Sequence, residues 1–224
     1  MYNLHMDLQN KKIYLSKYLV QSSAEEIANS ISHGTGAILS LLGLILLIIT
    51  SQTGKTNMTF PFIVYGLSLF FVYISSTLSH ALVAEKPKRF FQVMDYVTIY
   101  LLIAGSYTPV LLGPLKGIVN DLFLYCIWGL AFLGVLLKVF FFGRFEAVSM
   151  IIYLVMGWIA LLLFDAFIRT MPSEFLTLIF IGGLILTIGT IFYLTNNKRF
   201  HHFIWHLFVL VGTFSHFLAI LLYT

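Results

Sequence analysis

The chain has 224 residues, of which 59% are hydrophobic and 10% charged, and its formal net charge is +4. That balance excludes an ordinary soluble domain, in which about 25% of residues are charged, and fits a chain that crosses a membrane repeatedly. A single cysteine, Cys126, excludes an intramolecular disulfide and any cysteine-rich metal site.

Residues 1–28 are polar. No signal peptide is expected, because the apolar run starts late, is too long for an h-region and lacks an Ala-x-Ala-like cleavage site. Residues 11–28 are expected to lie on the cytoplasmic surface as a short amphipathic helix, with Ile13, Leu15, Tyr18, Leu19 and Ile27 toward lipid. From residue 29 to 224 the chain reads as one membrane domain. No charged residue occurs between Glu26 and Lys55, between Lys55 and Glu85, between Glu174 and Lys198, or after Arg199. Each gap exceeds the roughly 20 residues with which a helix crosses a bilayer. The remaining segments are interrupted by at most one carboxylate each, and they complete a set of seven helices.

The predicted helices lie near 29–51, 60–83, 93–112, 119–141, 147–168, 174–194 and 202–223. Their joints carry loop chemistry: Gly54 to Asn57, Glu85 to Arg89 with Pro87, Gly113-Pro114, Gly143-Arg144, Met171-Pro172 and Asn196 to Arg199. Strand alternation is absent, so the expected class is an all-α integral membrane protein with seven transmembrane helices. Lys11, Lys12, Lys17, Lys86, Lys88, Arg89, Lys138, Arg144, Lys198 and Arg199 fall on one side, against Lys55, Lys116 and Arg169 on the other. The positive-inside rule then puts the N-terminus in the cytoplasm and the C-terminus outside. The positive charge reads as topology, not as a nucleic-acid footprint.

The first helix carries Asn29 and His33 in register with Glu25, at i, i+4 and i+8, with Glu26 beside them. The second carries Ser76 and His80, four apart, and the third Asp95. The fourth contributes lipid-facing bulk such as Phe140 to Phe142. Asp165 in the fifth is expected to bond Arg169 at i+4, and Gly182, Gly183 and Gly189 are expected to let the sixth pack closely. The seventh carries His202 and His206 on one face. Trp128, Trp158 and Trp205 read as packing or interface residues, and Tyr107-Thr108-Pro109 as a bend in the third helix. His216 lies ~15 Å along the helix from His206 and is assigned to packing.

Counted from the nearest loop, His33, His80, Asp95 and His206 all lie ~8 to ~10 Å deep in the cytoplasmic half. Ionisable groups inside a membrane are costly and usually mark a functional site. Two readings of His80, His202 and His206 stand at this point: packing histidines that join helices by hydrogen bonds, or ligands of one metal ion. Three neutral imidazoles suit zinc and leave a fourth position for water, whose pKa falls to about 7 there. In that reading Asp95 acts as general base. Ser76, one turn deeper, either donates to a developing oxyanion or serves packing alone. His33, Asn29 and Glu26 are candidates for supporting the ligands.

The motifs Glu25-Glu26-x-x-Asn29-x-x-x-His33-Gly34, Ser76-Thr77-x-x-His80, Asp95-x-x-x-Ile99-Tyr100-Leu101-Leu102-Ile103-Ala104-Gly105-x-Tyr107-Thr108-Pro109 and His202-x-x-Trp205-His206-x-Phe208-Val209 resemble the bacterial hemolysin III proteins. Those are relatives of the progestin and adipoQ receptors, which include the adiponectin receptors. The resemblance runs from about residue 22 to the end. It implies a bacterial plasma-membrane protein with seven helices, a cytoplasmic N-terminus and a Zn2+ ion held by His80, His202 and His206, with Asp95 and Ser76 at the family's Asp and Ser positions. Its superfamily is similar to the alkaline ceramidases, which implies hydrolysis of a membrane-lipid amide or ester. The bacterial branch is named for lysis of red cells, which implies the alternative of a pore-former, or a membrane regulator or receptor with a structural zinc. A monomeric pore should show polar residues through the full thickness, and here they concentrate in one half; an oligomer escapes that test. Two positions depart from the pattern: Ser79 stands where Tyr is expected and Tyr96 where His is expected.

Overall fold

A computed structural model describes residues 21–53, 57–195 and 198–224 of the chain. All secondary structure among the described residues is helical, and seven spans are long and apolar enough to cross a membrane. They run Ser23–Thr53, Thr59–Ala81, Glu85–Leu112, Ile118–Phe140, Glu146–Thr170, Ser173–Leu194 and His201–Tyr223. Of the surface helix expected over 11–28, Ile13, Leu15, Tyr18 and Leu19 lie outside the described residues, as do Gly54 to Thr56 and Asn196-Asn197 in the predicted joints. Ile27 belongs to the first span and is exposed on it.

Three features of the spans differ from the expectation. The first span begins at Ser23 because Ser22 and Glu25 form a reciprocal cap: Ser22 N and Oγ donate to Glu25 Oε2 at 3.0 and 2.7 Å, and Glu25 N donates to Ser22 Oγ at 3.4 Å. The third span begins at Glu85, so Pro87, expected in a loop, sits in its first turn. A first-turn proline is harmless, since its missing N–H has no partner inside the helix anyway. The fifth span is α-helical over Glu146–Trp158, turns to a 3-10 stretch at Ile159–Leu163, and resumes at Phe164–Thr170. Tyr107 of the third span fills that break. Its hydroxyl donates toward Met156 O at 2.8 Å and Gly157 O at 3.0 Å and accepts from Ala160 N at 3.1 Å. Backbone groups released inside a membrane need such partners. Asp165 and Arg169 lie in the α-helical turns that follow this stretch, and both are exposed. The hydrogen bond expected between them does not form, and neither residue takes part in an ion pair among the described residues.

Packing is extensive between the first and second, second and third, and sixth and seventh spans, while the first and last close the bundle. The outer surface is apolar, aliphatic at Ile38, Leu42, Ile45, Leu46 and Ile49 of the first span and aromatic at Phe132 and Phe140 of the fourth. The interior instead holds Tyr65, Tyr73, Tyr100, Tyr107 and Tyr153 with many buried Ser and Thr side chains. Lipid gives helices no hydrophobic reason to associate, so close packing and hydrogen bonds hold them together. At Gly182 the sixth span packs against the His216 ring and the Gly212 carbonyl, where any Cβ would collide. At Gly189 a Cβ would stand 2.7 Å from Phe208 and 3.0 Å from Trp205. Gly182 and Gly189 therefore make the expected close contacts with the last span, while Gly183 faces the Trp158 ring of the fifth at ordinary contact distance.

A buried ion pair, not expected from the sequence, joins the fourth and fifth spans. Lys138 has a fully buried side chain, and its Nζ donates to Glu146 Oε2 at 2.9 Å. Its ammonium also lies 4.4 Å from the centre of the Tyr96 ring. Tyr193 of the sixth span donates to Tyr96 Oη at 3.2 Å and faces Glu146 Oε2 at 3.4 Å. Phe145, with a left-handed φ of 59°, turns the chain sharply before Glu146. Breaking a buried pair leaves one charge uncompensated, which costs ~3–5 kcal/mol, and partial exposure of Glu146 argues for the lower end. Lys138→Met is expected to destabilise the protein by ~3 kcal/mol in a denaturant titration in micelles. Adding Glu146→Leu should restore most of that loss; a double variant as unstable as the single would defeat this account.

Candidate metal centre

The first turn of the first span ties together the elements that carry the histidines. Glu25 Oε1 accepts from Phe200 N at 2.7 Å, immediately before the last span begins. Phe200 has a φ of 59°, a conformation uncommon for a residue with a side chain. This turn fixes where His202 enters the bundle. Glu26 reaches the other way. Its Oε2 accepts from His80 Nδ1 at 2.6 Å and its Oε1 from Lys88 Nζ at 2.8 Å, so one carboxylate joins the first, second and third spans.

These contacts decide which ring nitrogens face inward. With Nδ1 of His80 held by Glu26, its Nε2 remains; that atom is buried and has no partner. Ser32 Oγ donates to Asn29 O at 2.9 Å and lies 3.3 Å from His206 Nδ1. A hydroxyl has one proton, and Ser32 gives it to the carbonyl, so it accepts from His206 Nδ1–H. The lone pair of His206 is thereby on Nε2. His202 Nδ1 is also buried without a partner. Imidazole oriented by a hydrogen bond from its other nitrogen is the usual preparation of a metal ligand.

His80, His202 and His206 converge. Their ring centroids are 5.1 Å apart for His80 and His202, 5.1 Å for His80 and His206, and 4.6 Å for His202 and His206. One nitrogen from each lies within 4.8 Å of the other two, a spacing at which a single ion can be held. Two of the converging nitrogens, His80 Nε2 and His202 Nδ1, are buried without a partner, which would be costly if nothing were bound between them. The donor set fits a first-row transition metal that favours imidazole.

The remaining candidates occupy distinct places. Asp95 lies beside Ser76 and within electrostatic reach of His80. Ser76 is 1% exposed, and its buried Oγ has the neighbouring Asp95 carboxylate as its nearest acceptor. His33 stacks on His206 with centroids 3.6 Å apart and planes 7° from parallel, and meets Tyr73 edge-on. Both of its nitrogens are buried and unpartnered. Asn29 is fully buried and donates to Gln21 Oε1 at 2.6 Å, while its backbone carbonyl receives Ser32. His216 lies apart, with Nε2 3.0 Å from Ile179 O of the sixth span. That contact accounts for it as a packing residue.

Sequence reasoning missed Ser32, Lys88 and the action of Glu25 at Phe200. The first had a signal, since Ser32 follows Asn29 by three on the same helical face. Lys88 was masked by Pro87, which made its segment read as loop. The Glu25 contact is long-range and left no local trace, although Ser22-x-x-Glu25 is legible as a helix start.

Residues 21–217 match the family described as haemolysin-III related. The chain is 42% identical over 200 residues to the hemolysin-3 homolog of Bacillus subtilis strain 168, covering 89% of this chain and 94% of the relative. It is 41% identical over 206 residues to hemolysin-3 of Bacillus cereus, covering 92% and 94%. The human monocyte to macrophage differentiation factor is 30% identical over 167 residues, covering 70% of this chain and 67% of that protein. No solved structure matches the chain.

Proposed function

The chain belongs to the haemolysin-III related family, and from that premise we propose that it is a zinc-dependent hydrolase acting on an amide or ester of a membrane lipid. The observation that carries this reading is the convergence of His80, His202 and His206 next to Asp95 and the buried Ser76 hydroxyl. Three imidazoles without a thiolate suit a catalytic rather than a closed structural zinc site. Bound there, zinc supplies Lewis-acid polarisation of a carbonyl and acidification of water. Asp95 takes the proton of the attacking water, and Ser76 donates to the oxygen on which charge develops. Ser32 and Glu26 hold the rings of His206 and His80, and His33 backs His206 by stacking. In this reading the site lies in the cytoplasmic half of a bacterial plasma membrane, with lipid entering sideways, and the basic residues around this end of the bundle support that orientation.

The test is metal analysis of the purified protein together with untargeted lipidomics of membranes carrying the native chain or its histidine variants. No metal in the native protein, or a lipid profile indifferent to the histidines, would overturn the reading. Glu26 gives a finer measure. Glu26→Gln keeps the shape but removes the charge that pairs with both His80 and Lys88, and loss of such a partner costs about 10–100-fold in metal affinity. Competition with a chelator should read that loss, and an unchanged affinity would mean that Glu26 serves folding alone.

A second reading, a cytolysin, draws on the name of the Bacillus cereus relative. The polar cluster occupies one end of the bundle, which disfavours a pore through a single chain. Leakage from liposomes separates the two readings.

A further inference from the structure

At the end of the bundle away from the histidines, a cleft of about 290 Å³ opens between the second, third and fourth spans. Its walls include Phe60, Val64, Leu112 and Leu124. Phe60 and Tyr125 at its rim are 66% and 72% exposed on the outside of the bundle, so the cleft is reached from lipid. Thr108 and Trp128 line it too, with their polar atoms satisfied: Trp128 Nε1 donates to Thr108 Oγ1 at 3.2 Å, and Thr108 Oγ1 donates to Ala104 O at 3.0 Å. Asp121 is the exception. Its Oδ1 is buried and has no hydrogen-bond partner among the described residues, and none of their ion pairs includes it.

Asp121 lies in the first turn of the fourth span, where backbone amides favour negative charge. That placement accounts for an acidic residue but provides no donor for Oδ1. Asp121 stands at the start of the apolar span and is partly exposed as a residue, but its buried carboxylate oxygen at the edge of lipid still calls for a donor. The partner must be cationic, must carry an N–H to give to Oδ1, must approach through lipid, and must fill an otherwise apolar cleft. We infer that this cleft binds a membrane lipid with a primary ammonium headgroup, its amine on Asp121 and part of an acyl chain against Phe60, Val64 and Leu124. A quaternary ammonium has no N–H to offer, and an anionic headgroup is repelled. The Tyr125 ring at the rim adds a face to which an ammonium is attracted. This site is separate from the histidine centre and does not depend on the hydrolase reading.

The test uses the purified full chain in mixed micelles, titrated with phosphatidylethanolamine, phosphatidylcholine or phosphatidylglycerol of identical acyl chains, with bound lipid counted by native mass spectrometry. Phosphatidylethanolamine should be retained roughly five-fold over the other two, the size of a modest ion pair. Asp121→Asn should abolish that preference, and Asp165→Asn should leave it intact. Val64→Phe fills the cleft while keeping the carboxylate, so it should lower retention of phosphatidylethanolamine even if Asp121→Asn fails to fold. Glycerophosphoethanolamine, which has the amine and no acyl chains, should not compete. Equal retention of the three lipids, or a preference that survives both cleft substitutions, overturns the inference.

Discussion

Replacing His202 and His206 together by Ala is expected to take bound zinc from about one per chain to background. Each histidine alone should lower metal affinity by more than about 100-fold, since losing a ligand costs at least as much as losing the group that orients one. Elemental analysis after equilibration against a chelator reads the effect. The competing explanation is that these residues merely pack, and His206, 1% exposed, is buried enough for its truncation to harm the fold. His216→Ala provides the control. That ring packs tightly on Gly182 and bonds Ile179 O, yet lies outside the triad. It should lower the melting temperature and leave zinc in place. Should His216→Ala remove zinc as thoroughly as His206→Ala, the metal content would report global folding, and the assignment of ligands would fail.

The spans were legible because apolar length is a one-dimensional property: a stretch without charge between Glu174 and Lys198 can be read without knowing its neighbours. The i, i+4 pairs were legible for a similar reason, because helical geometry fixes the face that His202 and His206 share. Their convergence with His80 is tertiary. It depends on the second and last spans bringing their ends together, which no local pattern encodes, and it entered the sequence reading only through depth and family resemblance. Charge misled the boundaries in one consistent way. Glu25 and Glu26 were read as preceding the first membrane span and the Glu85 to Arg89 run as a loop, whereas both groups belong to the starts of the spans themselves. In those turns Glu26 and Lys88 find each other across spans, so the charges that mark a helix as leaving the membrane also cross-link the bundle beside the histidines.

Lys138 shows the limit of counting basic residues. Read from the sequence it is one more positive charge near a helix end, yet its side chain is fully buried against Glu146 and Tyr96. Tyr96 itself was noted only as a departure from the family pattern. In the fold it carries the Lys138 ammonium on its ring and receives the Tyr193 hydroxyl. A histidine there could not present the same phenol. The substitution therefore belongs with a local network that this chain builds beside Asp95, rather than with the triad.

Asp95→Asn is expected to lower turnover of a lipid amide or ester by about 10²–10⁴-fold while leaving zinc bound. The substitution preserves size and removes only the ability to take a proton, and Asp95 is not one of the three converging ligands. Loss of activity with full metal content is the signature of a general base. Loss of both would make Asp95 part of the metal's own support, through its charge near His80. Ser76→Ala gives an independent check, since removing one donor to a developing oxyanion costs ~10²–10³-fold in rate without changing the proton acceptor. Liposome leakage measured on the same Asp95→Asn protein separates catalysis from lysis, because a pore has no use for a base at one end of the bundle. Turnover that falls while leakage stays constant detaches any lytic activity from the site; native turnover in the Asn variant removes Asp95 from the mechanism.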